Sequence, residues 1–296
     1  MKLAIVDNIE VKFIGDDPVA QRPALDVLAR CFPIWAERKR IFKRFPFREL
    51  SFVAENNGIC CGHLGLIPME TYGDNGTLIR LAGVASVAVL PEYRKHGIAG
   101  KLCQAASKWA EENNFDAMPL YTSVMRVYEK NNWQIFPVEM STLKAPAATS
   151  DTGNFWKNSD ALTDEEKSFI IRCYENMPHF PGHMIRLDDD YAANSWHRLF
   201  NKDNCRFHLT GSGYILALDG VIAEVCGTIS TVPPGISKAF LSIHDPAYKM
   251  LKQSGWLPDL PPQQLPECWD GEVVMMKILS PGKIPSDILF PLAHKF

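Results

Sequence analysis

The stretch that decides the fold reads, from Val84 to Leu102, Val-Ala-Ser-Val-Ala-Val-Leu-Pro-Glu-Tyr-Arg-Lys-His-Gly-Ile-Ala-Gly-Lys-Leu. Its β-branched beginning favours a strand, and Pro91 ends that strand because proline cannot donate a hydrogen bond to a sheet. Beyond the loop, the apolar spacing predicts a helix through Leu102, Cys103, Ala106, Trp109 and Ala110. The N–H groups at a helix start have no partner inside the helix, and the helix dipole favours negative charge there. Strand, basic glycine-bearing loop and helix therefore predict a phosphate site.

This loop resembles the pyrophosphate loop of the Gcn5-related N-acetyltransferases, whose pattern is Arg/Gln-x-x-Gly-x-Gly/Ala. The matching residues are Arg94, Lys95, His96, Gly97, Ile98 and Ala99. The resemblance implies that these residues bind the pyrophosphate of acetyl-coenzyme A. It also implies that the main chain of the preceding strand, at Val87, Ala88 and Val89, binds the pantetheine. The alternative is an ordinary strand, turn and helix with a solvated basic turn.

A second informative stretch runs from Ser123 to Trp133. Its end, Val-Tyr-Glu-Lys-Asn-Asn-Trp, is similar to the family pattern (Ile/Leu)-Tyr-x-x-x-Gly-(Phe/Tyr). Asn132 stands where glycine is usual, and asparagine tolerates the left-handed conformation better than most residues. The resemblance implies that Tyr128 protonates the departing coenzyme thiolate and that Ser123 lies at the cofactor. The alternative for Tyr128 is a half-buried packing residue with a hydrogen-bonded tip.

Composition limits the function classes. The chain has 296 residues, enough for two domains, with 46% hydrophobic and 22% charged residues, which predicts packed cores. A net charge of -3 argues against a broad nucleic-acid or anionic-membrane surface. We find no long apolar segment, and the scattered cysteines suggest a reducing compartment, so a cytoplasmic location is the expectation.

Local signals outline the first half. A strand is expected at residues 11–14, a helical region after Asp17-Pro18, and a second, basic helix at 34–45. The Asn57-Gly58 pair predicts a hairpin between residues 51–54 and 59–66. The strand that ends at Val89 is expected to be antiparallel to its predecessors, and parallel to a strand at 118–123 across the helix.

The second half repeats some of these signals. Asp219-Gly220 predicts a hairpin, and Tyr248 to Trp256 echoes Tyr128 to Trp133. Between residues 231 and 247 there is no Arg-x-x-Gly-x-Ala/Gly, and two prolines there lack amide donors. We expect a degenerate second fold without its own cofactor, with a final strand at 272–279. His179-x-x-x-His183 has a metal-ligand spacing, but Pro181 breaks the helix that would align the pair, so no metal is expected.

The Pro181-Gly182-x-x-x-Arg186 motif, followed by Trp196, resembles the second domain of the enhanced-intracellular-survival acetyltransferases, which carry two tandem acetyltransferase-type folds. The resemblance implies an α/β (α+β) chain with mixed, mostly antiparallel sheets flanked by helices. It implies a catalytic domain at 1–146 and a degenerate one at 147–296. That family usually has a third, sterol-carrier-like domain, for which 296 residues leave no room.

The general base is open at this point. The resemblance implies the C-terminal carboxylate of Phe296. A water chain, Glu55 and Glu70 are the alternatives, because residues 86–89 contain no carboxylate.

Two function hypotheses follow. The first is an acetyl-coenzyme-A-dependent N-acetyltransferase in which a primary amine of a small molecule or peptide attacks the thioester directly. The second is a non-catalytic acyl-coenzyme-A-binding or scaffolding protein on the same fold. Neither involves nucleic acid or a membrane, and a homo-oligomer is compatible with both.

Overall fold

Two β-sheets flanked by helices make up the chain. The computed structural model describes residues 8–33, 49–136, 138–146, 155–189, 195–201, 204–229, 231–243, 245–259, 263–265 and 272–284. The helices are α1 (Arg22–Cys31), α2 (Ile98–Glu112), α3 (Met125–Glu129), α4 (Asp164–Glu175), α5 (Trp196–Phe200) and α6 (Pro246–Gln253). The strands are β1 (Ile9–Gly15), β2 (Leu50–Asn56), β3 (Ile59–Tyr72), β4 (Leu78–Val89), β5 (Ala117–Thr122), β6 (Gln134–Ile135), β7 (Val138–Lys144), β8 (Lys157–Asn158), β9 (Cys205–Leu209), β10 (Gly213–Leu218), β11 (Val221–Gly227), β12 (Lys238–Ser242), β13 (Leu257–Pro258), β14 (Gln263–Leu265) and β15 (Val273–Ile278).

The first sheet has the order β1-β2-β3-β4-β5-β15-β6. It is antiparallel from β1 to β4, and β4 and β5 are parallel across α2, which confirms the expectation from the sequence. The predicted hairpin joins β2 to β3, with Asn57 and Gly58 both at positive φ.

The first helix begins later than its sequence signal. Asp17 starts a turn instead, because its carboxylate accepts the N–H of Val19 and its carbonyl accepts the N–H of Gln21. Helix α1 then starts at Arg22. The basic helix expected at 34–45 lies outside the described residues.

The second sheet has the order β13-β7-β12-β11-β10-β9-β8, with β14 also paired to β7. It repeats the first: the hairpin at Asp219-Gly220 joins β10 to β11, β11 and β12 are parallel, and α6 follows β12 as α3 follows β5. Between β11 and β12 the described residues form no helix, at the place that α2 occupies in the first sheet. The chain thus contains two tandem folds of one type.

The two sheets exchange one strand each. Strand β15 pairs antiparallel with β5 of the first sheet, and β7 pairs antiparallel with β12 of the second. This corrects the expectation that the strand at 272–279 completes the second sheet. The alternation of apolar residues shows which face of a strand is buried, but it does not select between two equivalent free sheet edges. The expected domain boundary at 146/147 therefore falls after a strand, β7, that belongs to the second sheet.

The core connects both sheets. On one face of the first sheet, α1 and α2 bury Leu28 and Leu102 against Leu64. On the other face, Ile67 and Leu81 belong to the same apolar cluster as side chains of α4, α5, β9, β10 and β12. The second fold thus covers one face of the first sheet.

The Pro-Gly-x-x-x-Arg motif joins the two folds. The N–H of Gly182 donates to the carbonyl of Tyr72 (2.7 Å), and the N–H of Ile185 donates to that of Glu70 (2.9 Å), so this segment lies along β3. Arg186 donates two hydrogen bonds to Glu224 (2.6 and 3.1 Å). Its guanidinium also lies 4.1 Å from the ring centroid of Tyr174 and 4.7 Å from that of Trp196. None of the helices in the described ranges is long and apolar enough to cross a membrane.

Candidate active site

A bulge in β4 opens the site. His63 of β3 faces Ala88, and Gly65 faces Ala85, so Ser86 and Val87 together stand opposite one residue of β3. Ser86 takes the left-handed conformation, with φ of 54°. An extra residue bends a strand and increases its twist. Strands β4 and β5 are in parallel register at Leu81 and Ala117, before the bulge, and a cleft lies between them after it.

The cleft has a volume of about 1180 Å³ and runs from the bulge to the start of α2. Its described wall includes basic side chains of two loops and α3, and the acidic Glu272. The basic residues are Arg94, Lys95, Arg126 and Lys130. The electrostatics of the wall therefore favour an anion.

The start of α2 provides free donors. Gly97 precedes the helix with φ of 73°, and among the described residues no side chain caps it. The first N–H that bonds back within the helix is that of Lys101, to the carbonyl of Gly97 (3.1 Å). The amides of residues 98–100 precede that bond and line the cleft, so they are available to phosphate oxygens.

The structure brings most of the predicted cofactor residues into one cleft. Those that line it are Val87, Ala88, Val89, Arg94, Lys95, Gly97, Ile98, Ala99 and Ser123. The carbonyl of Val89 accepts hydrogen bonds from Arg94 Nε (3.1 Å) and from Cys31 Sγ (3.5 Å), so it points away from β3 and towards the cleft. His96 is exposed and does not belong to the cleft wall.

Tyr128 lies in the same wall, on α3. Its ring packs edge-on against Trp133, with 6.1 Å between centroids. The turn after α3 places Asn132 at φ of 68°, the conformation expected where the family has glycine. Burial, with smaller contributions from Cys103 and Glu272, raises the pKa of the Tyr128 hydroxyl, so this hydroxyl keeps its proton at neutral pH.

The sequence of the first fold matches a known protein family. Residues 21–136 match the model of the acetyltransferase (GNAT) domain. They form a GNAT acetyltransferase domain.

Solved structures share the whole two-sheet fold. Eis1 from Mycobacterium abscessus is 14% identical, with a TM-score of 0.60, over 92% of this chain and 74% of that one. A GCN5-related N-acetyltransferase from Anabaena variabilis ATCC 29413 is 18% identical, with a TM-score of 0.59, over 92% and 73%. A Pyrococcus horikoshii protein is 10% identical, with a TM-score of 0.50, over 100% and 99%. At these identities the likeness concerns the fold.

Two of the bases suggested by the sequence, Glu55 and Glu70, lie away from the cleft of the GNAT domain. Glu55 is bound to Lys12 (2.5 Å) at the pairing of β2 with β1. Glu70 faces Arg80 across β3 and β4, before the bulge, and is not part of the cleft wall. The C-terminal residue, Phe296, lies outside the described residues.

A carboxylate that sequence reasoning missed lies directly behind the cleft. Glu49 is fully buried, and its Oε2 accepts a hydrogen bond from the Ser86 hydroxyl (3.2 Å). Its other oxygen, Oε1, has no hydrogen-bond partner among the described residues. A Cβ on Gly65 would overlap that oxygen, so glycine is required at this position of β3.

Two pKa shifts follow from this burial. Burial raises the pKa of Glu49 to about 8, and the hydrogen bond from Ser86 and the charge of Arg198 offset only part of that effect. Burial lowers the pKa of His63, whose Nε2 lies 3.6 Å from Glu49 Oε1, to about 4. Both side chains are therefore mainly uncharged at neutral pH.

No pattern in a single sequence marks Glu49. A glutamate just before a strand is usually exposed to solvent. Its burial depends on Gly65 in the neighbouring strand and on the covering second fold, which are both tertiary features.

Proposed function

We propose that this chain is an acetyl-coenzyme-A-dependent N-acetyltransferase, in which a primary amine of a small molecule or peptide attacks the thioester directly. The observation that carries the proposal is the cleft between β4 and β5, which joins free helix amides, a bulged strand and a protonated tyrosine in one wall.

In this proposal the amides of residues 98–100 and the guanidinium of Arg94 bind the pyrophosphate. The pantetheine hydrogen-bonds to the main chain of residues 87–89. In this part of β4 the strand is no longer paired with β5, so its N–H and C=O groups on that side can bind a ligand. An N–H of the bulge polarises the thioester carbonyl.

The acid is Tyr128. As the tetrahedral intermediate collapses, the C–S bond breaks and the coenzyme sulfur takes the hydroxyl proton. At neutral pH the buried hydroxyl carries its proton, so it is in the form that can donate to the sulfur.

The second fold is proposed to shape the acceptor side and to bind no cofactor. It has no counterpart of α2 among the described residues, and Pro233 and Pro234 lack the amides that a phosphate cradle needs. In terms of chain segments, 1–146 is the catalytic unit and 147–296 the degenerate one, apart from the exchanged strands.

The test combines transfer and binding. The chain is incubated with acetyl-coenzyme A and a panel of polyamines, aminoglycosides and lysine peptides, while thiol release and product mass are followed. We expect acetylation of at least one class, and Arg94→Glu should weaken coenzyme A binding in calorimetry roughly tenfold through charge reversal. Lys108→Glu, in the same helix but away from its start, is the control.

Coenzyme A binding without transfer to any amine would favour a non-catalytic binding protein. Equal affinity of Arg94→Glu and the wild type would remove the loop assignment.

A further inference from the structure

The strongest unexplained feature is the buried polar cluster behind the β4 bulge. It contains the N-cap residue of α1, two neighbours in β2 and β3, the bulge residue and the missed carboxylate. These are Gln21, Ser51, His63, Ser86 and Glu49. Buried polar groups are costly unless they are paired, so a cluster of this size needs a reason.

The hydrogen-bond donors of the cluster are almost all committed. Gln21 donates to the Ser51 hydroxyl (3.0 Å) and to the carbonyl of Glu49 (2.6 Å). The carbonyl of Ser86 can only accept, so His63 donates to it from Nδ1 (2.9 Å). The neutral ring then accepts from the Ser51 hydroxyl at Nε2 (3.0 Å).

Among the described residues, this arrangement leaves Glu49 with one donor, the hydroxyl of Ser86. A buried carboxylate with a single hydrogen bond is poorly stabilised when ionised, and it therefore binds a proton readily. Ser86 itself lines the cleft, whereas Glu49 does not. Among the described residues, the hydroxyl of Ser86 therefore links the carboxylate of Glu49 to the cleft.

We infer that Ser86 accepts the proton of the attacking amine and that Glu49, behind it, is the group to which this proton is passed. The inference rests on the proposed acetyl transfer and supplies the base that it lacks. It assigns the base to a carboxylate at the start of β2, and not to the C-terminus, Glu55 or Glu70.

The step balances. The N–C bond forms and the amine nitrogen becomes positive. One N–H proton moves to Ser86 Oγ while the Ser86 hydroxyl proton moves to Glu49 Oε2. When the C–S bond breaks, the sulfur takes the proton of Tyr128. Solvent exchange returns the proton of Glu49 to the medium and reprotonates Tyr128, so that amide and free coenzyme A are the net products.

The charged and titratable groups that face Glu49 come from both folds. His63 of β3 is neutral, for the reason given above. Arg198 of α5, in the second fold, favours the ionised carboxylate through its charge. The second fold therefore adjusts the basicity of a group in the catalytic one.

The test is the pH dependence of kcat at saturating acetyl-coenzyme A and amine. Because the pKa of Glu49 is raised to about 8, the fraction of Glu49 that is ionised and can accept a proton increases as the pH rises through this value. We expect kcat to increase with this fraction. Two amines of different basicity separate this rise in kcat from ionisation of the substrate. If the rise belongs to Glu49, its midpoint has the same pH with both amines. Arg198→Met should move this midpoint to higher pH, since the positive charge that favours ionisation is lost.

Glu49→Gln keeps the shape of the side chain and should lower kcat on the order of 10²-fold or more and abolish this rise. Ser86→Ala should do the same with Glu49 still present. Glu55→Gln, in the strand that directly follows Glu49, is the control and should leave the profile unchanged. Coenzyme A affinity and melting temperature show whether the variants fold.

The outcomes are distinct. A folded Glu49→Gln variant with the wild-type pH profile would overturn the relay and leave acetyl transfer standing. Infrared titration of the protonated carboxyl band needs no turnover. A band that titrates with a pKa of about 8 and is absent in Glu49→Gln supports the assignment. A Glu49 carboxyl that is ionised throughout the neutral range overturns it. Absence of transfer by the wild type overturns the proposed function and, with it, the relay.

Discussion

Tyr128 and Tyr248 are a natural pair for testing chemistry at the scale of single residues. Each lies on the helix that follows the second strand of a parallel pair, Tyr128 after β5 and Tyr248 after β12. Only Tyr128 belongs to the wall of the candidate cleft. A general structural role of this tyrosine would be shared by both positions, whereas the proposed proton donation concerns Tyr128 alone.

Tyr128→Phe should therefore lower kcat on the order of 10²-fold, because the departing thiolate loses its proton donor, while coenzyme A affinity changes little. Steady-state kinetics and calorimetry measure the two quantities. Tyr248→Phe should leave both near the wild-type values. Unchanged turnover of Tyr128→Phe would show that water protonates the sulfur.

The loop before α2 and Tyr128, which line one cleft, could be singled out from the sequence because they lie in continuous motifs. Glu49 could not, because nothing nearby in the chain distinguishes it from a solvated glutamate. Its character comes from burial, from the space left by Gly65 and from a bulge residue at positive φ.

At the scale of elements, the start of α2 is the proposed phosphate site, and two glycines allow a matched test. Gly97 and Gly76 have nearly the same φ, 73° and 72°, and a Cβ on either would meet no atom within 4 Å. The backbone penalty of an alanine is therefore similar at both positions, about 1–2 kcal/mol. Gly76 lies in the turn before β4, away from the cleft.

Gly97→Ala and Gly76→Ala should lower the free energy of unfolding by similar amounts. Only Gly97→Ala should also weaken coenzyme A binding, because its methyl group occupies the approach to the free amides. Denaturant unfolding and calorimetry give the two numbers for each variant. Equal coenzyme A affinity in the two variants would contradict a phosphate site at this helix.

Elements with local signals were predictable in the same way. The two hairpins have the turn sequences Asn57-Gly58 and Asp219-Gly220, which are recognisable without any tertiary information. Pro91 likewise shows where β4 ends. The partner of the last strand was not predictable. Two sheets of the same type offer equivalent edges, and the choice between them depends on how the folds pack together.

For the molecule as a whole, the exchanged strands connect the two folds. The buried pair of Arg186 and Glu224 attaches to β11 the segment that hydrogen-bonds to β3. The pair is nearly inaccessible to solvent, with side chains 2% and 9% exposed. The hydroxyl of Tyr214 donates a further hydrogen bond to Glu224 (2.5 Å). Removal of one member of such a set leaves a buried charge without its partner.

Arg186→Met should therefore destabilise the protein by about 3–5 kcal/mol. Replacement of the whole set, in Arg186→Met with Glu224→Leu and Tyr214→Phe, should recover much of that loss, since no buried charge remains. Strand β7 pairs with the second sheet and β15 pairs with the first, so each half of the chain contributes a strand to the other fold. Calorimetry should therefore show a single unfolding transition, and its melting temperature should fall in Arg186→Met. Two separate transitions, with only the second fold destabilised, would mean that the exchanged strands do not couple the folds.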